Sequence, residues 1–122
     1  SCGVYYNNAV TSLPVTEIVT DNEFFDYEAK YEGKSNEITP ARIEKNIYSK
    51  IQNLTEKIYS ELNLKGICRV DYIIKNNLPY IIEINTVPGL SKESIIPKQL
   101  KCMNISLSEI FRISIENATF NE

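Results

Sequence analysis

The chain has 122 residues, enough for one hydrophobic core that buries roughly two-thirds of the unfolded surface, and too few for two. Hydrophobic residues make up 43% and charged residues 24%, the balance of a globular domain rather than a disordered tail. Thirteen basic against sixteen acidic side chains leave a net charge of −3 with no basic block, which argues against a nucleic-acid groove.

Several chemistries are set aside by residue type. No apolar run approaches the about 18 residues that a membrane helix needs, so no membrane role is expected. Histidine is absent, which removes His-type zinc sites and Ser-His-Asp triads. Any catalysis must run on Asp, Glu, Lys, Arg, Tyr, Ser and Asn. Cys2, Cys68 and Cys102 are odd in number and scattered, which points to free thiols in a reducing compartment.

The first residues carry neither a basic segment nor an apolar one, so no signal peptide is expected. They include no initiating methionine and enter directly what reads as a strand. The expectation is a piece of a larger protein. Residues 2–10 and 12–20 read as two extended runs with a turn at Asn7-Asn8. Pro14 is easiest to place on an edge or at a strand start. Residues 21–38 hold Phe24, Phe25, Tyr27 and Tyr31 among charges, with neither helical nor strand period. They are expected to form a mobile lid or binding loop. A surface loop with its aromatics tucked onto the core is the plainer reading.

A helix follows. Thr39 is expected to cap it and Pro40 to open it. Ile43, Ile47, Ile51, Leu54, Ile58 and Leu62 recur at spacings of 4, 4, 3, 4 and 4, one apolar stripe along about six turns. Asn63 and Gly66 mark its end. Then the period changes from 3.6 to 2. GICRVDYIIK and YIIEIN read as a hairpin across NNLP. A Gly/Pro-bearing loop, TVPGLSKES, leads to a short helix. Ser106-Leu-Ser-Glu109 is a capping box for a last helix whose apolar side is Leu107, Ile110, Phe111, Ile115 and Ala118. The fold class is α+β, an antiparallel sheet packed against helices in two layers.

The hairpin carries the chemistry. Arg69 and Asp71 share one face of the first strand, and Glu83 and Asn85 share one face of the second. A turn centred near Asn77 sets Asp71 opposite Glu83, since 71 + 83 = 2 × 77. Directly opposed like charges repel, and both sit in apolar stretches, Asp71 between Val70 and Tyr72 and Glu83 between Ile82 and Ile84, where an unpaired charge is costly. A divalent cation resolves both problems. Asp71, Glu83 and Asn85 offer hard oxygens of the kind Mg²⁺ shares with phosphate and water. Arg69 would meet an anion. A solvated hairpin face with Arg69 paired to one carboxylate is the alternative. Lys30 in the aromatic loop could reach a phosphate, or be a solvated lysine. Gly89 could present a bare backbone N–H, or simply make a turn. Ser94 near a helix start could hold a carboxylate, or act as an ordinary cap.

FFDYEAKY, GICRVDYII and YIIEINTVPGLSKES, in that order, closely resemble the C-terminal part of the ATP-grasp domain of the D-alanine–D-alanine ligase family. The resemblance runs from about residue 3 to the last helix. It implies an ATP-grasp C-terminal subdomain from a bacterial, cytoplasmic ligase of peptidoglycan precursor synthesis. The first D-alanine would become an acylphosphate, which the amine of the second attacks. The resemblance assigns Asp71, Glu83 and Asn85 to two Mg²⁺ or Mn²⁺ ions. It assigns Arg69 and the Gly89 N–H to the tetrahedral oxyanion, Lys30 to the transferred phosphate, Tyr31 to loop closure and Ser94 to the second D-alanine's carboxylate. The partners implied are D-alanine, ATP and the absent N-terminal and central domains; a homodimer stays open. The isolated piece is expected to be inactive. A D-alanine–D-lactate ligase of the same fold, a non-catalytic Mg-nucleotide module and a plain packing domain are the alternatives.

Overall fold

The computed structural model describes residues 1–19 and 36–120. β1 (Cys2–Tyr6) and β2 (Val10–Val15) pair antiparallel across a turn at Asn7, Asn8 and Ala9. Asn8 takes φ +64°, a conformation that asparagine tolerates better than most residues. The register slips between Cys2 and Val4, and Pro14 lies in the slipped stretch of an edge strand, where a missing N–H costs little.

The second extended run divides. β3 (Glu17–Val19) leaves the main sheet and pairs with β4 (Asn36–Ile38) in a separate two-stranded ribbon. The expected loop over 21–38 is therefore shorter at its far end, because Asn36–Ile38 is strand. The rest of it, with Lys30 and Tyr31, lies outside the described residues.

The long helix α1 (Lys45–Glu61) begins later than expected, with Glu44 as its N-cap. Competing hydrogen bonds explain the delay. The Thr39 hydroxyl bonds that of Thr16, so it caps nothing. The Ala41 N–H donates to Val15 O at 2.8 Å. Arg42 donates to Glu17 Oε1 through its backbone N–H at 2.8 Å and its Nε at 3.0 Å. These bonds hold the segment along the strands. The helix ends as expected, with Asn63 at φ +52° and Gly66 at φ +66°.

The buried side of α1 is rotated from the apolar stripe. Ile47, Ile51, Thr55 and Tyr59 are buried, while Leu62 is exposed. Two hydroxyls are satisfied inside the core, which is the condition for burying them. Thr55 Oγ1 donates to Ile51 O at 2.7 Å and bonds the Tyr72 hydroxyl. The Tyr59 hydroxyl donates to Gly66 O at 2.7 Å.

β5 (Cys68–Lys75) and β6 (Leu78–Asn85) complete a four-stranded antiparallel sheet in the order β2-β1-β5-β6. α2 (Ile95–Cys102) and α3 (Leu107–Phe120) follow. Ser106 Oγ accepts the Glu109 N–H at 3.1 Å, as the capping box requires. The buried face of α3 is Ile110 and Ile113 rather than Phe111 and Ile115, which are exposed.

β1 is the centre of the core, and its faces are covered by different helices. Cys2 and Val4 cluster with residues of α1, while Tyr5 clusters with Ile96, Leu100, Ile110 and Ile113. The two expected layers are thus three over the inner strands. β6 at the far edge is left open, with Tyr80, Ile81 and Ile82 exposed. All three cysteines are free. Burial pushes the Cys2 thiol up to about 11, so it behaves as a core side chain rather than a nucleophile.

α2 approaches β1 at Gly3. A methyl there would lie 2.6 Å from Ile96 Cδ1 and 2.7 Å from both Gln99 Oε1 and Leu13 Cδ1, and all three side chains are fully buried. Gly3→Ala should therefore destabilise the fold by about 1–3 kcal/mol through overpacking. Urea unfolding measures it; an unchanged midpoint would refute this packing.

Candidate functional site

The hairpin of β5 and β6 places the site residues. Asn76 and Asn77, at φ +53° and +62°, form a two-residue turn of the type that matches strand twist, and Lys75 pairs with Leu78. The turn is shorter than the expected NNLP, and Pro79 is part of β6. Continued regularly, this register would pair Asp71 with Ile82, since 75 + 78 = 71 + 82. Glu83 would then face away from Asp71. A bulge prevents this. Tyr72 pairs with Ile81 and Asp71 with Glu83, so Ile82 is the extra residue. The expected Asp71–Glu83 opposition is present because a one-residue bulge offsets a shorter turn.

Arg69, Asp71, Glu83 and Asn85 thus share one face. Asp71 is heavily bonded there. Its Oδ1 accepts Arg69 Nε at 2.9 Å and Ser1 Oγ at 2.7 Å. Its Oδ2 accepts Arg69 Nη2 at 3.0 Å and Asn85 Nδ2 at 3.2 Å. Burial works to raise its pKa, but the Arg69 and Ser1 hydrogen bonds and the charge of Arg69 outweigh that and hold it below the ordinary carboxylate value. The bidentate pair, with both side chains about four-fifths buried, is the geometry in which an Arg–carboxylate bond is strongest.

Glu83 differs. It is exposed and has no ion pair among the described residues. The isoleucine beside it, Ile82, is 60% exposed. The expected burial cost therefore applies to Asp71 and not to Glu83. The pairing of Arg69 with one carboxylate, weighed as the alternative to a cation, is present.

The donor set fits a hard divalent cation in a particular way. Glu83 and the amide oxygen of Asn85 have open acceptor positions among the described residues. The four acceptor positions of Asp71 are all in use, so it could join a cation only by releasing a bond. The described residues contain no cluster of three or more His, Cys, Asp or Glu side chains. A site of one or two carboxylates completed by water and phosphate suits Mg²⁺, which is rarely held in an all-protein cage.

Gly89 and Ser94 form a second group after β6. A Cβ on Gly89 would lie 2.9 Å from Ser94 Oγ, so the two residues approach closely. Ser94 is the N-cap of α2, yet its hydroxyl bonds Ser91 Oγ at 2.8 Å instead of capping the helix. Two residues escaped the sequence reading. Ser1 has no pattern around it, and Gln99 lies at an apolar position of α2; only the fold shows their partners. Two clefts of about 630 and 770 Å³ lie elsewhere, one between α1 and the hairpin tip and one where α1 meets α3. Neither is lined by these residues.

The D-ala D-ala ligase C-terminus family model matches residues 1–116. The chain is similar to a D-alanine–D-alanine ligase of Flavobacterium johnsoniae, 50% identical over 113 residues, covering 93% of this chain and 35% of that protein. It is similar to the corresponding ligase of Christiangramia forsetii, 49% identical over 115 residues, covering 94% and 35%. Among solved structures, a D-alanine–D-alanine ligase from Bacillus anthracis complexed with ATP superposes with a TM-score of 0.73 at 28% identity, covering 94% of this chain and 37% of that one. A VanG D-Ala:D-Ser ligase from Enterococcus faecalis gives 0.74 at 30% identity, covering 94% and 34%. The chain spans about a third of the length of these relatives. No helix among the described residues is long and apolar enough to cross a membrane.

The lowered pKa of Asp71 has a signed consequence. A carboxyl with a depressed folded-state pKa adds stability above its unfolded value of about 4, and that stability is lost as pH falls through the lower folded value. In metal-free urea unfolding between about pH 2 and 6, wild type should lose stability with acid more steeply than Asp71→Asn. Parallel profiles would count against the Arg69–Asp71 bond.

Proposed function

Because the chain belongs to the D-Ala–D-Ala ligase C-terminal family, we propose that it forms the phosphate-facing wall of an ATP-dependent ligase joining two D-alanines. The observation that carries this reading is the sheet face on which Asp71 and Glu83 are directly opposed and flanked by Arg69 and Asn85. A face of that composition suits phosphate with its counter-ions. The missing length, about two-thirds of each relative, would supply the nucleotide-base pocket and the first D-alanine's site.

A carboxylate is a poor electrophile, and phosphorylation gives it a leaving group. The first D-alanine's carboxylate would attack the γ-phosphorus of ATP and release ADP. The amine of the second would attack the acylphosphate carbonyl and expel phosphate. Glu83, Asn85 and Asp71 would hold up to two Mg²⁺ or Mn²⁺ ions, whose charge offsets that of the phosphates. Arg69 spends two of its five donors on Asp71; those remaining would meet the oxyanion, with the Gly89 N–H. Ser94, whose hydroxyl is free of capping duty, would bind the second D-alanine's carboxylate. Lys30 and Tyr31 would close over the transferred phosphate. The whole protein would work in the bacterial cytoplasm, where ATP is available.

The test is phosphate release by the whole protein with ATP, Mg²⁺ and D-alanine. D-alanine-dependent release is expected, and the isolated 122-residue chain should show none. Glu83→Gln should lower the rate by about 10- to 100-fold. Ser94→Ala should raise the KM for D-alanine and leave that for ATP unchanged. Absence of D-alanine-dependent release from the whole protein would end this reading. Stronger stimulation by D-lactate would redirect it to the depsipeptide-forming ligases.

A further inference from the structure

Gln99 is a polar side chain with no exposed surface, packed on α2 beside Ile96 and Leu100. Burying an amide is costly unless its bonds are met. Here they are. Oε1 accepts the Gly3 N–H at 3.1 Å. Nε2 donates to Ser1 O at 3.0 Å and to Thr16 Oγ1 at 3.0 Å. Ser1 and Thr16 also bond each other through their backbones, N to O in both directions, at 2.9 and 2.8 Å. A Leu or Met of similar volume would join α2 to the sheet equally well as packing. The amide adds direction: it locks one point of α2 to the first three residues of the chain.

Both ends of this lock lie at the site. The Ser1 hydroxyl donates to Asp71 Oδ1. The first turn of α2 carries Ser94 against Gly89. One continuous path therefore runs from Ser94 down α2 to Gln99, across to Ser1, and onto Asp71.

We propose that Gln99 is a positioning residue that, through Ser1, sets the Asp71 carboxylate relative to the Ser94 end of α2. What the two ends hold rests on the ligase reading above; the linkage itself does not. In that reading Asp71 lies at the phosphate side and Ser94 at the second amino acid. Gln99 then governs the alignment of the attacking amine with the acylphosphate, and alignment errors of about 1 Å can cost about 10²-fold in rate.

The test uses the whole protein and four variants: Gln99→Met, Gln99→Glu, Ser1→Ala and the Gln99→Met/Ser1→Ala pair. Gln99→Met should lower kcat by about tenfold with the KM for ATP unchanged. Ser1→Ala should do the same to a smaller extent. The pair should be no worse than Gln99→Met alone, the non-additivity of two residues on one path. Gln99→Glu, whose buried carboxyl stays protonated and keeps one donor and one acceptor, should recover most of the rate. Without any substrate, the carbon-13 resonance of the Asp71 carboxyl at neutral pH should move in the same direction in Gln99→Met and in Ser1→Ala. An unmoved Asp71 resonance in folded Gln99→Met would overturn the proposal, leaving Gln99 as packing alone. Additive rate losses would also overturn it. If Gln99→Met does not fold, Gln99→Asn, whose amide is one methylene too short to hold Gly3 and Ser1 together, is read in the same way, and an unmoved Asp71 resonance in it overturns the proposal. A protein without ligase activity would end the ligase reading, while the resonance would still judge the linkage.

Discussion

The parity of the β5–β6 hairpin governs everything the site can do. Side chains alternate across a strand, so a one-residue change of register moves a whole set to the other face. The Asn76-Asn77 turn alone would set Glu83 and Asn85 against the face opposite Asp71. The extra residue Ile82 restores the match by letting two residues of β6 oppose one step of β5. Bulges are common beside functional sites for this reason: they re-aim a side chain without disturbing the rest of a sheet. Here one exposed isoleucine decides whether two carboxylates face each other.

That opposition places two acidic groups about 5 Å apart at Cβ, and the fold treats them differently. Asp71 is mostly buried, and all its acceptor positions are filled by Arg69, Ser1 and Asn85. Glu83 stands in water. One carboxylate is tied into the structure and the other is available. Among the described residues, α2 and α3 cover β1 and β2 but leave β6 bare.

The depth of the core matters for the same reason. α2 is both a packing element and the carrier of Ser94, and its contact with β1 requires Gly3. The tight approach at Gly3 and the buried amide of Gln99 are parts of one joint.

The α+β class, the hairpin, the helix ending near Asn63 and the pairs Arg69/Asp71 and Glu83/Asn85, each on one face of its own strand, were legible in the residue pattern. Alternation and helical periodicity are local properties, and the type of residue at each spacing is enough to reveal them. The start of α1 was not legible. Thr39 and Ala41 bond Thr16 and Val15, far off in sequence, rather than the helix. The apolar stripe did not include Thr55 and Tyr59, which are buried because the core supplies partners for their hydroxyls. The bulge at Ile82, the Ser1 bond to Asp71 and the Gln99 lock were likewise decided only by tertiary structure. Each depends on groups far apart in sequence, 70 residues for Ser1 and Asp71 and 98 for Gln99 and Ser1. The sequence by itself determined which chemical groups lie on which strand. Only the folded chain decided which of them are already satisfied and which are left to meet a ligand, because hydrogen-bond satisfaction is a property of neighbours in space.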